Sequence, residues 1–276
     1  MTCPADFPFY RPELRTLRRR GNTLLRQAMA GSPPCCFKHG EEIIRPGQAC
    51  DTIFRLESGW VGRTRVLEDG RRSITGVILP GELFGIESLF VTEQPDAVIS
   101  FGKATVLAIH HDRVRELFES DPSVALQIAS QLAGDERRLR DHMVGLGRAN
   151  ATEHIAMTLL ELDARLGRTG PHDSGTYRCP LTQQDLADFV GLTPVHVNRV
   201  LRWLHAQGLA TVSRGLVQIH DLVALQKLAQ PAIEITERSQ TQPFVSQCPC
   251  QEAGVVPRTE AGINATLGMA VPLAKR

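Results

Sequence analysis

The spacing of hydrophobic positions changes partway along this chain. In its first half, short β-rich runs at 52–56, 60–66, 73–79, 97–99 and 104–109 alternate with glycines at 40, 47, 59, 70, 76, 81 and 85. Regular glycines between short strands predict an antiparallel barrel or roll. Asp69-Gly70 is the clearest hairpin, because this dipeptide readily adopts the positive φ angles that a tight turn between strands needs.

A helical period begins after Asp121-Pro122. Apolar residues at 125, 132, 139 and 146 lie seven apart with charges between them, which predicts a helix of about 25 residues. Such a stripe is typical of a coiled-coil seam between two subunits, although it would also suit a helix packed on the chain's own β domain. The predicted dimer interface is Ala125, Ile128, Leu132, Leu139, Met143 and Leu146. A further helix is predicted over 151–166.

Two short helices joined by three residues are predicted over 181–204. Thr182 with Asp185 three positions later is a capping box. Gly191 can adopt the left-handed conformation that ends the first helix, and Thr193-Pro194 supplies an N-cap and a first helical residue for the second. Helices joined in this way form a helix-turn-helix.

The second of these helices carries two different faces. One face is apolar, whereas the other suits base edges, because arginine pairs with guanine, asparagine with adenine and an apolar side chain with the thymine methyl. The predicted base-reading residues are Val195, Asn198, Arg199 and Arg202. A solvated face of a structural hairpin is the alternative. Strands predicted at 209–212 and 216–219 add a wing and favour DNA, and the predicted contacts to the DNA backbone are Thr182, Gln183, Thr193, His196 and Arg214.

Composition indicates where such a protein works. The 276 residues are 42% hydrophobic, as in a globular protein. No run is long enough to span a bilayer, and arginines stand where a signal peptide needs an apolar core, so we expect a cytoplasmic location and no membrane partner. The net charge of +1 conceals a partition, since residues 11–26 hold six arginines and one glutamate, whereas 41–102 hold ten acids and six arginines.

The cysteines do not form a recognisable framework. Their irregular spacing in an odd set of seven argues against disulfides and against a metal site. Cys179 precedes the helix-turn-helix, where oxidation would place negative charge near DNA phosphates. We therefore take Cys179 as the candidate redox thiol, with an ordinary partly buried cysteine as the alternative.

Over about residues 37–228 the ordered motifs resemble those of the CRP/FNR family of bacterial regulators. The matching segments are Phe37-Lys38-His39-Gly40-Glu41, Glu57-Ser58-Gly59-Trp60-Val61, Pro80-Gly81-Glu82-Leu83-Phe84-Gly85 and Gly191-Leu192-Thr193-Pro194-Val195-His196-Val197-Asn198-Arg199. The resemblance implies an α+β fold, with an N-terminal antiparallel β-roll of the cyclic-nucleotide-binding type, a long dimerisation helix and a C-terminal winged helix-turn-helix.

This resemblance also implies domains and roles. The predicted parts are a basic N-terminal segment at 1–30, a β-roll sensor at 31–120, a dimerisation helix at 121–148, a winged helix at 149–229 and a disordered tail at 230–276. Arg199 falls at the family's guanine-reading arginine and Asn198 at a second base contact. Val195 stands where the family frequently has a glutamate, so we expect the DNA half-site to differ from one that this glutamate reads.

The sequence does not identify the effector. In the cyclic-nucleotide branch a ribose-binding glutamate and an Arg-Ser pair align with Ile86, Asp96 and Ala97, so cyclic AMP is not expected. An iron–sulfur cluster is not expected, since the position of its later cysteine aligns with Leu107. Haem is not expected either, because His110-His111 suits surface histidines. The candidate effector pocket is Gly81, Glu82, Phe84, Gly85 and Glu87.

The expected function is a sequence-specific DNA-binding transcription regulator acting as a homodimer on a pseudo-palindromic site. Double-stranded DNA, a second copy of the chain and RNA polymerase are the expected partners. No catalytic motif is present, so we expect no enzyme. The alternative is a ligand-binding or protein-interaction module whose winged helix contacts a protein.

Overall fold

The computed structural model describes residues 11–167 and 175–237. Helix α1 (Arg15–Met29) comes first, after a short 3-10 turn, and the β-roll follows it. The strands of the roll are β1 (Cys35–Phe37), β2 (Glu42–Ile44), β3 (Thr52–Ser58), β4 (Val61–Val66), β5 (Arg72–Ile78), β6 (Leu83–Phe84), β7 (Ala97–Ser100) and β8 (Ala104–His110). The predicted antiparallel roll is confirmed.

The roll consists of two four-stranded antiparallel sheets. One sheet has the order β1-β8-β3-β6 and the other β2-β7-β4-β5. Leu56, Val61, Phe84 and Val106 fill the space between the sheets and are fully buried. Gly59 turns β3 into β4 with φ +84°, and a Cβ there would lie 2.2 Å from the carbonyl oxygen of Lys103, so a side chain at this corner would be excluded.

Three helices follow the roll. They are α2 (His111–Ser120), α3 (Pro122–Arg148) and α4 (Ala151–Leu166). The side chain of Asp121 accepts a hydrogen bond from the amide of Ser123 and caps α3, with Pro122 in the first turn. The long helix and the helix over 151–166 thus match the sequence predictions.

Helix α1 is an addition to the predicted basic segment at 1–30. It packs along α3 so closely that a Cβ on Gly21 would lie 2.0 Å from the carbonyl oxygen of Ser123. Leu25 and Met29 are completely buried in the same contact. The arginines of α1 lie mostly on its exposed face, which explains how so basic a segment forms part of the core.

The winged helix forms the last part of the described chain. Its elements are β9 (Thr176–Arg178), α5 (Gln183–Val190), α6 (Pro194–Ala206), β10 (Ala210–Ser213), β11 (Leu216–Ile219) and α7 (Leu222–Glu237). The strands form a sheet of order β10-β11-β9. Helix α7 extends eight residues into the predicted tail at 230–276. The prediction missed this continuation because the composition there, including Pro231, is not typical of a helix. Residues 238–276 lie outside the described residues.

One hydrophobic core joins the roll to the winged helix. Trp60, Ile74 and Phe101 of the roll belong to the same buried cluster as Leu159 of α4 and Phe189 of α5. The two parts therefore pack directly against each other. Among the described residues no helix is both long and apolar enough to cross a membrane.

Candidate DNA interface

The predicted helix-turn-helix is present and its ends are capped. The hydroxyl of Thr182 accepts a hydrogen bond from the amide of Asp185, whose carboxylate in turn accepts one from the amide of Thr182. Gly191 ends α5 at φ +67°, and the hydroxyl of Thr193 accepts from the amide of His196 at the start of α6. These local bonds determine where the two helices begin and where α5 ends.

Helix α6 divides into a buried and an exposed face. Val197, Val200, Leu201 and Leu204 are buried against the core. On the opposite side, Val195 is 81% exposed, Arg199 and Arg202 are exposed, and Asn198 is half-buried. The four predicted base-reading residues therefore lie on one accessible face of α6. The major groove of DNA is wide enough to admit an α-helix.

Asn198 is held in place by a neighbour. Its side-chain amide donates a hydrogen bond of 3.0 Å to the Oε1 of Gln183, the first residue of α5. The sequence suggested separate roles for these two residues, a base contact and a backbone contact. Their pairing orients the asparagine and links the start of α5 to the exposed face of α6.

The candidates for contacting the DNA backbone lie at the helix starts and on the wing. Thr182, Gln183 and Thr193 are exposed, and His196 is half-buried. Arg214 is exposed at the turn between β10 and β11 and adopts φ 51°. The hydroxyl of Thr182 also donates a 2.7 Å hydrogen bond to Asp185, so its contribution to phosphate binding stays a prediction.

Helix α3 exposes most of its predicted dimer face. Leu132, Leu139, Met143 and Leu146 are exposed, and Ala125 is half-buried. Ile128 is the exception, since it is 3% exposed and packs with Leu25 of α1 in the chain's own core. Ile128 is therefore unavailable to a second subunit, and its assignment to the dimer interface was wrong.

The end of α3 reaches the helix-turn-helix. The ring of His142 stacks on that of Phe189 in α5, with centroids 4.6 Å apart and planes 11° apart. A Cβ on Gly191 would lie 2.8 Å from Cδ2 of Leu146. Helix α3 thus touches both α5 and the turn that follows it.

The predicted effector pocket in the roll is largely occupied by protein contacts. Phe84 is fully buried, and Gly81 and Gly85 form turns with positive φ. Glu82 accepts hydrogen bonds from Arg165 of α4, and Glu87 pairs with a neighbouring arginine of β4. A cavity of about 480 Å³ instead lies between the 3-10 segment at 86–89 and α2, lined in part by Leu89, Phe90, His111 and Phe118.

The positions that the resemblance associates with a cyclic nucleotide do not fit one. Ile86, in the position of the ribose-binding glutamate, is buried and apolar. Asp96 is negatively charged and already accepts a 2.8 Å hydrogen bond from Arg65. A carboxylate in place of the phosphate-binding arginine would repel the ligand.

A cluster of potential metal ligands lies where β8 is followed by α2. His110, His111 and Asp112 bring potential metal ligands within 4.8 Å of one another. Arg115 lies 3.0 Å from the same carboxylate, and the group sits at the positive N-terminal end of α2. Both features disfavour a cation.

Cys179 lies in an environment that opposes the predicted redox role. The residue is 6% exposed, and burial raises the pKa of its thiol to about 11. At neutral pH the thiol is protonated and shielded, whereas the thiolate is the reactive form. The structure therefore favours the alternative of a buried, unreactive cysteine.

Comparison with known proteins agrees with this architecture. Residues 34–121 match the cyclic nucleotide-binding domain family and residues 153–228 the Crp-like helix-turn-helix domain family. The nitrogen fixation regulation protein FixK of Azorhizobium caulinodans is 31% identical over 71% of this chain and 78% of its own length. The transcriptional activator protein FnrA of Stutzerimonas stutzeri is 27% identical over 72% and 81%.

A solved structure has the same fold. FixK2 from Bradyrhizobium japonicum superposes with a TM-score of 0.65 at 28% identity, covering 71% of this chain and 96% of that one. These relatives are regulators rather than enzymes, and the match extends over both the roll and the winged helix. The chain belongs to the CRP/FNR family of DNA-binding transcription regulators.

Proposed function

We propose that the protein binds a pseudo-palindromic DNA site as a homodimer, with α6 of each subunit in the major groove. The observation that supports this most directly is the exposed stripe of α6, which presents Val195, Asn198, Arg199 and Arg202 beside a capped helix start and a wing. Two such helices related by a twofold axis would read half-sites about one helical turn apart.

The side chains divide by chemistry into readers and anchors. Arg199 is exposed and can donate two hydrogen bonds to the O6 and N7 of guanine. Asn198, oriented by Gln183, suits adenine, and Val195 suits a thymine methyl. Arg214 on the wing supplies a cation for a phosphate, a contact that strengthens binding without reading sequence.

Dimerisation would use the exposed apolar face of α3. This face exposes four large apolar side chains to solvent, those of Leu132, Leu139, Met143 and Leu146. Burial of such a stripe is the usual driving force for helix pairing. As a cytoplasmic regulator of transcription, the dimer would meet RNA polymerase at the promoter.

A selection of genomic fragments by the purified protein tests this function. Sequencing of the bound fragments yields the site, and fluorescence anisotropy on a labelled duplex gives Kd. Arg199→Ala should lose about 1–3 kcal/mol of preference at one base position. Arg214→Ala should weaken all sequences evenly and reduce the slope of log K against log salt by about 1.

Arg113→Ala is the matched control. Arg113 is an exposed arginine of α2 that pairs with Glu116, far along the chain from the winged helix, and its loss should leave Kd unchanged. If Arg199→Ala weakens specific and random DNA by the same factor, the base-reading role is wrong. If the wild-type protein selects no DNA and instead retains a protein partner, the interaction-module alternative is favoured.

A further inference from the structure

Arg72, the first residue of β5 in the roll, contacts the DNA-reading part of the molecule. Its Nε donates a hydrogen bond of 2.7 Å to Oδ2 of Asp188. One of its terminal nitrogens lies 2.5 Å from Oδ1 of Asp185 and 2.7 Å from the same Asp188 oxygen. Both aspartates belong to α5, so one guanidinium joins the sensor part to the first helix of the helix-turn-helix.

This ionic contact is largely shielded from water. The side chains of Asp185 and Asp188 are 6% and 11% exposed, and that of Arg72 is 30% exposed. Two carboxylates packed this closely need a compensating cation. Burial alone would raise the pKa of Asp185, but hydrogen bonds from Thr182 and Arg72 lower it below its usual value. Asp185 is therefore charged, and the guanidinium of Arg72 faces its carboxylate and that of Asp188.

Short hydrogen bonds continue this contact to the exposed face of α6. The second oxygen of Asp185 accepts from the amide and the hydroxyl of Thr182, at 2.9 and 2.7 Å, and so caps α5. Gln183, the next residue, holds Asn198 of α6. The same carboxylate thus fixes the start of α5 with one oxygen and the roll with the other.

Asp188 has a parallel arrangement. Its Oδ1 accepts a 2.6 Å hydrogen bond from the side chain of Gln184 on the exposed side of α5, while its Oδ2 faces Arg72. Without Arg72, two uncompensated negative charges would remain on the helix that carries the predicted backbone contacts Thr182 and Gln183. Such charges would repel DNA phosphates.

We propose that Arg72 is a positioning residue for DNA binding, through which the β-roll sets the orientation of α5 and offsets part of the negative charge of its two aspartates. This inference rests on the proposed function, because it assumes that α5 and α6 bind DNA. Arg72 itself touches no DNA. It gives the sensor part a direct physical means of changing DNA affinity, since movement of β5 moves or releases the helix.

Neighbouring Arg71 provides a matched control. It lies in the same hairpin, is 76% exposed and pairs with Asp69 of its own turn rather than with the winged helix. Arg71→Gln removes the same charge from an adjacent position in the full-length protein. Any difference between Arg71→Gln and Arg72→Gln therefore reports the contact with α5, not the net charge of the roll.

The test is Kd by fluorescence anisotropy, on the selected site and on a random duplex. Arg72→Gln should raise Kd for the selected site by about tenfold and for random DNA by less, since loss of orientation affects only the specific geometry. Arg71→Gln should leave both values within about twofold of wild type. Circular dichroism and urea unfolding on the same samples verify that the variants are folded.

A charge reversal separates positioning from simple loss of stability. Arg72→Asp should bind the selected site more weakly than Arg72→Gln, and adding Asp188→Arg to it should restore part of the affinity, measured relative to Asp188→Arg alone. The inference is overturned if Arg72→Gln binds the selected site as well as wild type or better, if both duplexes weaken equally, or if the reversed pair restores nothing. Wild-type protein that binds no DNA overturns the proposed function as well.

Discussion

Arg165 is a buried charge whose removal should strongly destabilise the protein. It lies on α4 with 3% of its side chain exposed. Its Nε and one terminal nitrogen donate to the two oxygens of Glu82, at 3.1 and 2.6 Å. That terminal nitrogen also donates 2.6 Å to the carbonyl of Val77, and the other one 3.1 Å to Glu161. Arg165→Met removes all four bonds and keeps an unbranched side chain that retains part of the packing.

The loss of stability depends on the polar groups that remain after Arg165 is replaced. Glu82, whose side chain is 19% exposed, keeps a 3.0 Å hydrogen bond from the amide of Leu79, and the carbonyl of Val77 loses this donor. Removing one partner of a buried ion pair costs about 3–5 kcal/mol. For a chain of this size, this loss lowers Tm by about 6–20 °C. The free energy of unfolding, from urea denaturation followed by circular dichroism, is the measurement.

A double variant and an exposed arginine complete the experiment. Arg165→Met with Glu82→Gln should lose less than the sum of the single changes, because the uncompensated charge is gone. Arg26→Met breaks an exposed pair with Glu57 and should cost under about 1 kcal/mol. A loss under 1 kcal/mol for Arg165→Met, or full additivity in the double variant, would refute the reasoning.

The same pair predicts a response to acid. Burial alone would raise the pKa of Glu82, but the charges of Arg165 and Arg138 lower it below its usual 4.5. A carboxyl with a lowered folded pKa stabilises the fold above pH 4.5 and loses that contribution as the pH falls through the folded value. Arg165→Met should therefore flatten the acid limb of the stability curve.

Three further changes have expected outcomes. Cys179 should react with a thiol reagent at least about 100-fold more slowly than exposed Cys36, and equal rates in the folded protein would contradict its burial. Burial, with a smaller contribution from a nearby histidine, lowers the pKa of His154 to about 4. The unfolded chain then binds the extra proton between pH 6.5 and 4, so unfolding free energy should fall by on the order of 2–3 kcal/mol from pH 7 to 4. His154→Leu should remove that slope in urea titrations, and an unchanged slope would exclude this histidine. Gly21→Ala should destabilise by about 1–3 kcal/mol, since its Cβ meets an α3 carbonyl. Gly147→Ala, in open space on α3, should be neutral or stabilising, and equal losses for the two glycines would argue against the close helix contact.

Local signals explain which elements could be predicted from the sequence. The capping box at Thr182 and the left-handed Gly191 are set by a few adjacent residues, so α5 and α6 were located to within a residue or two. Strands β1, β2 and β6 have two or three residues each and show no alternation to detect. Helix α1 was missed because its arginines dominated an apolar stripe ending at Met29.

The candidate site was predictable to the extent that it depends on one helix. The 3.6-residue period alone places Val195, Asn198 and Arg199 on the face opposite the core. The same period cannot tell which neighbour an apolar stripe meets, and Ile128 meets α1 instead of a second subunit. Arg72 contacts residues more than a hundred positions away, and no local pattern encodes such a contact.

These long-range contacts determine how a signal would reach DNA. Helix α5 is held from the roll by Arg72 and from α3 by the stacking of His142 on Phe189. A signal changes DNA affinity only if it alters the free-energy difference between two arrangements of the reading helices. Since the roll and the winged helix share one core, the two arrangements do not differ by free rotation of the winged helix about a hinge. An effector that moves β5, or a change in the pairing of α3, would act on α5 by direct contact.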